Sequence, residues 1–164
     1  MEDEKDIIDV LIADWNKERP ELDLEAMHIV GRILKLNKIL EKRTNKVLKS
    51  SAIHYTDLDV LATLRRSGEP YLLAPKQLMK SVLITSGAMT ALLDRLKNLE
   101  LIYRAPDSKD GRIKLVGLTE KGLDVIDETI VLRFNEAKAV VQGLNENDNK
   151  ELGALLKKLL KSLS

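Results

Sequence analysis

Between Pro75 and Leu118 the hydrophobic period changes, and no other stretch restricts the fold so tightly. Pro75 opens a short segment, 75–82, with Leu78, Met79 and Val82 at helical spacing. Proline is favourable in the first turn of a helix, where its missing N–H has no partner to lose. A tight connection at Leu83-Ile84 follows, and Thr85 or Ser86 caps a longer helix running to about Leu99. Short helix, tight turn and longer helix make the helix-turn-helix pattern. The period then falls towards 2. Leu101-Ile102-Tyr103-Arg104 and Ile113-Lys114-Leu115-Val116 are short strands, and Pro106-Asp107-Ser108-Lys109-Asp110-Gly111 between them is dense in turn residues. The spacing predicts a β-hairpin with a charged tip.

Helices flank this segment on both sides. Ile7, Ile8, Leu11, Ile12 and Trp15 recur at helical spacing over 4–17, and Pro20 ends that run. From Leu24 to about Ser50 there is no proline, and Ile29, Ile33, Leu36, Leu40 and Val47 form one stripe. Residues 56–66 give a further helix capped by Thr56 or Asp57, before Gly68 and Pro70 break the chain. Thr119 caps a final helical pair. Leu123, Ile126, Ile130, Phe134, Ala137, Val141 and Leu144 approach a coiled-coil seam. Asn145-Glu146-Asn147-Asp148 is the break, and leucines from Leu152 to Leu163 line the last helix. Aromatics are only 3% of the 164 residues, so the core is aliphatic, which suits helix-on-helix packing. The fold class expected is mainly α, a winged helix-turn-helix lobe with N- and C-terminal helices around it.

The total charge is +1, but its distribution is uneven. Residues 1–26 hold 10 acids and 3 bases, and residues 27–49 hold 7 bases and 1 acid. These neighbours either pack together, within or between subunits, or remain two solvated faces. Residues 75–117 carry 8 bases against 4 acids, a local positive field able to bind phosphate whatever the total. There is no cysteine, which excludes disulfides, thiolate nucleophiles and thiol redox sensing. Two histidines, His28 and His54, make a multi-histidine metal site unexpected. No apolar run reaches the ~18 residues of a membrane span, and the acidic start does not read as a secretory signal, so a cytoplasmic protein is expected. No P-loop, dinucleotide glycine fingerprint or catalytic Ser/His/Asp order is present, which argues against an enzyme and for no cofactor.

The helix over 85–99 has two different faces. Met89, Leu92, Leu93, Leu96 and Leu99 fall on one. Ser86, Gly87, Thr90, Ala91, Asp94, Lys97 and Asn98 fall on the other. Its first half is small, so the backbone can approach another surface closely. Free N–H groups at the helix start suit a phosphate, and hydroxyls suit phosphate or base edges. Alone, this is equally a well-capped surface helix. The hairpin beside it adds Arg104, Lys109, Arg112 and Lys114, long cations of the kind that enter a minor groove. Asp110, two residues before Arg112, can bond to turn amides and hold the arginine's orientation. A helix-turn-helix followed directly by a basic hairpin describes a winged helix that binds nucleic acid.

Here the sequence resembles the MarR-type winged-helix transcriptional regulators. The resemblance covers about 56–122, from Leu61-Ala62-Thr63-Leu64-Arg65-Arg66 through Thr85-Ser86-Gly87-Ala88-Met89-Thr90 and Leu93-Asp94-Arg95-Leu96. It continues in Pro106-Asp107-Ser108-Lys109-Asp110-Gly111-Arg112 and Val116-Gly117-Leu118-Thr119. It implies a homodimer on a pseudo-palindromic double-stranded DNA operator, with recognition helices in successive major grooves about 10 bp apart. Residues 1–52 and 119–164 would then pair the subunits around a DNA-binding lobe at 53–118. The resemblance assigns DNA contacts to Ser86, Gly87 and Thr90, minor-groove entry to Arg112 and its orientation to Asp110. Lys109 and Lys114 add positive charge to the wing. Arg95 matches as well, either as a phosphate contact or as a structural ion pair.

The resemblance narrows towards a subgroup with an extra N-terminal helix that senses urate. Trp15, Asp59 and Arg66 match its ligand residues by position, and His28 borders the same cleft. The subgroup's remaining arginine aligns with Leu92, so the effector implied is a small aromatic or phenolic molecule rather than urate itself. Alternatively, Trp15 packs the first helix and Asp59 and Arg66 are structural. The function expected is a repressor released by such an effector. The competing expectation is a non-enzymatic adaptor that uses its winged-helix lobe for protein contacts.

Overall fold

The computed structural model describes residues 4–82, 86–107, 110 and 112–163. The chain divides into two compact units, Met1–Arg43 and Thr44–Ser164.

The first unit holds α1 (Ile7–Glu18) and most of α2 (Glu25–Val47). Asp6 caps α1, its carboxylate accepting from the amides of Ile8 and Asp9 while Asp9 returns a bond to the Asp6 amide. Ile8 is buried at Gly31 of α2, where an added Cβ would sit 3.1 Å from the isoleucine side chain. Arg32 then joins the helices, donating to Asp6 at 2.8 Å and to Asp9 at 2.7 Å. The expected packing of the acidic start on the basic helix therefore occurs within one chain. Both helices begin and end within a few residues of their expected bounds.

The second unit begins at the end of α2, where Leu48 is fully buried and a 3-10 turn spans Lys49–Ser51. It continues with α3 (Tyr55–Arg66), β1 (Leu72–Leu73), α4 (Pro75–Ser81), α5 (Ser86–Asn98), β2 (Ile102–Pro106), β3 (Lys114–Leu118), α6 (Glu120–Val140) and α7 (Glu146–Leu163). The strands form one antiparallel sheet in the order β1-β3-β2, with Leu72 opposite Gly117 and Tyr103 opposite Gly117 on the other side. Leu58, Leu61 and Leu64 of α3, Leu78 of α4, Met89, Leu93 and Leu96 of α5, Val116 and Ile126 share one aliphatic core. The mainly helical fold with a small sheet is as expected.

Several details differ from the sequence reading. The cap of α3 is His54, because Asp57 sits in the third helical position and reaches back to the His54 amide at 2.8 Å. Strand β1 falls where only a chain break was expected, since two residues carry no periodicity. Strands β2 and β3 lie one to two residues later than predicted. Asn145 and Asp148 are a reciprocal cap at the start of α7, each side chain accepting from the other's amide. The seam along α6 also splits. Ile126 is fully buried in the core, whereas Phe134 is 69% exposed.

Candidate nucleic-acid interface

Helix α5 is seated by its apolar face. Met89, Leu92, Leu93 and Leu96 are all buried. Each contributes on the order of 1.5–3 kcal/mol of burial, so turning the helix over would cost roughly 6–12 kcal/mol. That fixes which face is outward. Gly87, Thr90, Ala91 and Lys97 are exposed there, and nothing lies within 4 Å of where a Gly87 Cβ would be. Thr85 and the side chain of Ser86 lie outside the described residues.

The helix stops without a glycine. Glu100 takes a left-handed φ of 61°. The amides of Glu100 and Leu101 bond back to the carbonyls of Lys97 and Leu96, the paired closure of a Schellman motif. Two ion pairs then hold adjacent residues of α5. Asp94 accepts from Arg104 of β2 at 2.8 Å, and Arg95 donates to Asp57 of α3 at 2.6 Å. The Asp57 side chain is 0% exposed, so the structure puts Arg95 in the structural pair that the sequence left open. Arg104 is committed to α5 and is not a loose wing cation.

The hairpin follows directly. Gly117 lets the sheet close, because a Cβ there would lie 2.6 Å from the Tyr103 ring. At the tip, the Asp107 amide donates to the Ile113 carbonyl at 2.9 Å and the Ile113 amide to the Asp110 carbonyl at 2.9 Å. The Asp110 carboxylate accepts from the Arg112 amide at 3.0 Å, a turn-amide bond of the expected kind. Arg112 and Lys114 are exposed. Lys109 lies outside the described residues. At the exit, Thr119 caps α6 through the Gly122 amide, and Gly122 meets the Leu101 carbonyl so closely that an added Cβ would lie 2.0 Å from its oxygen. The wing root is thereby held against the end of α5.

The expected effector residues fall on both units. Trp15, 55% exposed, lines a shallow depression on α1 with Leu11, Asp14 and Glu18. His28 is exposed beside the α1–α2 ion pairs, its Nδ1 3.7 Å from Asp9. Asp59 and Arg66 share α3, with Asp59 half-buried and Arg66 exposed.

Arginine pairing sets the electrostatics elsewhere. Arg32 holds the Asp9 carboxyl below the usual aspartate range through its hydrogen bond. Arg65 does the same to Asp127 of α6, donating to both carboxylate oxygens at 2.7 and 3.1 Å. Sequence reasoning missed Asp57, Asp94 and Asp127 as anchors, since each pairs with a residue remote from it. Among the described residues no group of three or more His, Asp or Glu could hold a metal ion, and no helix is long and apolar enough to cross a membrane.

Residues 53–113 match the sequence profile of the MarR family. Over 153 residues the chain is 29% identical to the HTH-type transcriptional regulator PecS of Dickeya dadantii (strain 3937), covering 93% of this chain and 92% of the relative. The fold is similar to a crystal structure of a point mutant of MarR from E. coli complexed with operator DNA. That likeness has a TM-score of 0.73 and 26% identity, with 89% of this chain and 97% of that one covered. A putative MarR-like transcription regulator from Bacillus cereus ATCC 10987 is similar with a TM-score of 0.77 and 22% identity, covering 87% and 100%.

Proposed function

On the premise that the lobe around residues 53–113 is a MarR-family winged helix, we propose that the chain is a homodimeric, sequence-specific DNA-binding transcriptional regulator, a repressor released by a small aromatic effector. One juxtaposition carries this reading. The outward face of α5 begins with Gly87, Thr90 and Ala91, and the hairpin beside it ends in exposed Arg112 and Lys114. Small residues let α5 approach base edges, and the wing cations reach phosphates or the adjacent minor groove. In this reading Ser86, Gly87 and Thr90 contact bases, Arg112 enters the minor groove, and Asp110 holds the turn that aims it. Lys109 and Lys114 supply phosphate contacts. Arg95 positions α5 through Asp57.

Pairing is supported by the apolar residues each unit leaves uncovered. Ile29 and Leu34 are exposed in the first, and Phe134, Leu155 and Leu163 in the second. Residues 1–52 and 119–164 serve as the pairing region around the lobe. Trp15, His28, Asp59 and Arg66 are the effector residues of this proposal. An effector releases DNA only if it binds the non-fitting dimer more tightly, by a few kcal/mol.

Selection from a random duplex library tests the reading. Enrichment of an inverted repeat with half-sites about 10 bp apart is expected. Failure to enrich any sequence at low salt would instead favour the adaptor reading. Titration of small aromatic acids and phenols against the DNA complex, read by Trp15 fluorescence, tests the effector. A fluorescence change with DNA still bound would remove the switch.

A further inference from the structure

One side chain, Arg65, ties the root of the wing sheet to α6. Its Nε and one terminal nitrogen donate to the two oxygens of Asp127. The other terminal nitrogen donates to the Tyr71 hydroxyl at 3.0 Å, and the guanidinium carbon lies 4.9 Å from the centre of the Tyr71 ring. All three guanidinium nitrogens are therefore committed. A planar fork can do this in one fixed geometry, whereas a lysine ammonium cannot.

Both partners occupy places where movement would be transmitted. Tyr71 has a left-handed φ of 56°, a strained conformation for an aromatic residue that its surroundings must hold. Its carbonyl accepts from the Leu118 amide at 3.3 Å, and β1 begins at the next residue. Strand β1 pairs with β3, whose other neighbour is the wing strand β2. On the other side, Asp127 lies four and seven residues before Val131 and Phe134, so all three share one face of α6. Val131 and Phe134 are 56% and 69% exposed and belong to the proposed pairing surface.

We propose that Arg65 is a positioning residue for DNA binding that relays the position of α6 to the root of the wing. The inference rests on the DNA-binding reading above. A shift of α6 moves Asp127, and the guanidinium carries that shift to Tyr71, β1 and β3. The wing then changes its angle to α5 without loss of any DNA-contacting side chain. Packed side chains and hydrogen-bonded groups of this kind carry modest coupling between sites.

The test uses the full chain as wild type, Arg65→Lys, Asp127→Asn and the double variant. Affinity for a selected DNA site, its salt dependence, the thermal midpoint and amide exchange at Leu72, Leu73 and Leu118 are measured. Each single variant is expected to bind the site about five- to twenty-fold more weakly, with the salt slope unchanged and the three amides exchanging faster. The double variant is expected to be no worse than the weaker single one, because both break the same link. Affinity within two-fold of wild type would overturn the proposal. So would losses that simply add, or that follow the thermal midpoint alone. A flattened salt slope would make Arg65 a phosphate contact instead. If wild type selects no DNA, the functional reading fails separately. Unchanged exchange at β1 in Asp127→Asn would then overturn the relay.

Discussion

Single residues in this protein take on roles that their type alone does not announce. Glu100 closes α5 in a left-handed conformation where glycine is the usual choice. Its carboxylate pairs with Lys121, in an exposed contact at 3.2 Å that adds little. Glu100→Gly is therefore expected to raise stability by about 0.5 kcal/mol, since the relieved left-handed strain exceeds the added unfolded-state entropy. Denaturant unfolding midpoints check this. Gly122 is the opposite case. An added Cβ would lie 2.0 Å from a backbone oxygen, so Gly122→Ala must displace the wing root or α6. A loss of about 2–3 kcal/mol is expected, visible as a lowered thermal midpoint. At the wing tip, Arg112→Ala is expected to leave stability unchanged and weaken binding to the selected site by about ten-fold, with the salt slope reduced by about one unit. Affinity and slope equal to wild type would sink the wing assignment.

At the scale of elements, helix boundaries followed local chemistry closely. Pro75 starts α4 and Thr119 caps α6, as their residue types imply. The misplaced features were short-range details, whereas the docking of elements on one another had non-local causes. His54 caps α3, not Thr56 or Asp57, because Asp57 occupies the third helical position and accepts from the His54 amide, and the same carboxylate oxygen also accepts from Arg95, 38 residues on. The docking of α1 on α2 depends on Ile8 meeting Gly31 and on Arg32 bridging two carboxylates. That docking has a defined pH dependence. Asp9 titrates lower in the folded chain than in the unfolded one, because Arg32 stabilises its charged form. Its contribution is therefore complete above the ordinary aspartate range and is lost as pH falls through the lowered folded value. Asp127, held by Arg65, follows the same sign. Carboxyl titration by NMR should place both below the ordinary aspartate range. Arg32→Ala should raise Asp9 towards the ordinary range, with the Asp6 amide still holding part of the shift, and leave Asp127 unmoved.

For the whole molecule, the uncovered apolar stripes support the proposed pairing. Phe134, Leu155 and Leu163 lie exposed along with many other large apolar side chains, among them Ile29, Leu34 and Leu160, and a monomer rarely leaves so much apolar side chain in water. Leu155→Lys is expected to shift the proposed dimer towards monomer in light scattering while helicity by circular dichroism is retained, because Leu155 does not support its own protomer's core. A dimer unchanged at low micromolar concentration would remove α7 from the pairing surface. Periodicity, proline placement and turn residues were enough to reveal the helix-turn-helix, the hairpin and the outward face of α5. These depend on residues within one or two turns of each other, and their stereochemistry is local. Which cations remain available to a partner was not legible. The pattern leaves Arg95 between a phosphate contact and a structural pair and sets Arg104 among the hairpin cations, and folding ties the first to a buried carboxylate and the second to Asp94. Arg65 and Asp127 lie 62 residues apart, and nothing in either neighbourhood marks them as partners. An ion pair is decided by where the packed core delivers two side chains, and that position is a property of the folded chain rather than of any segment.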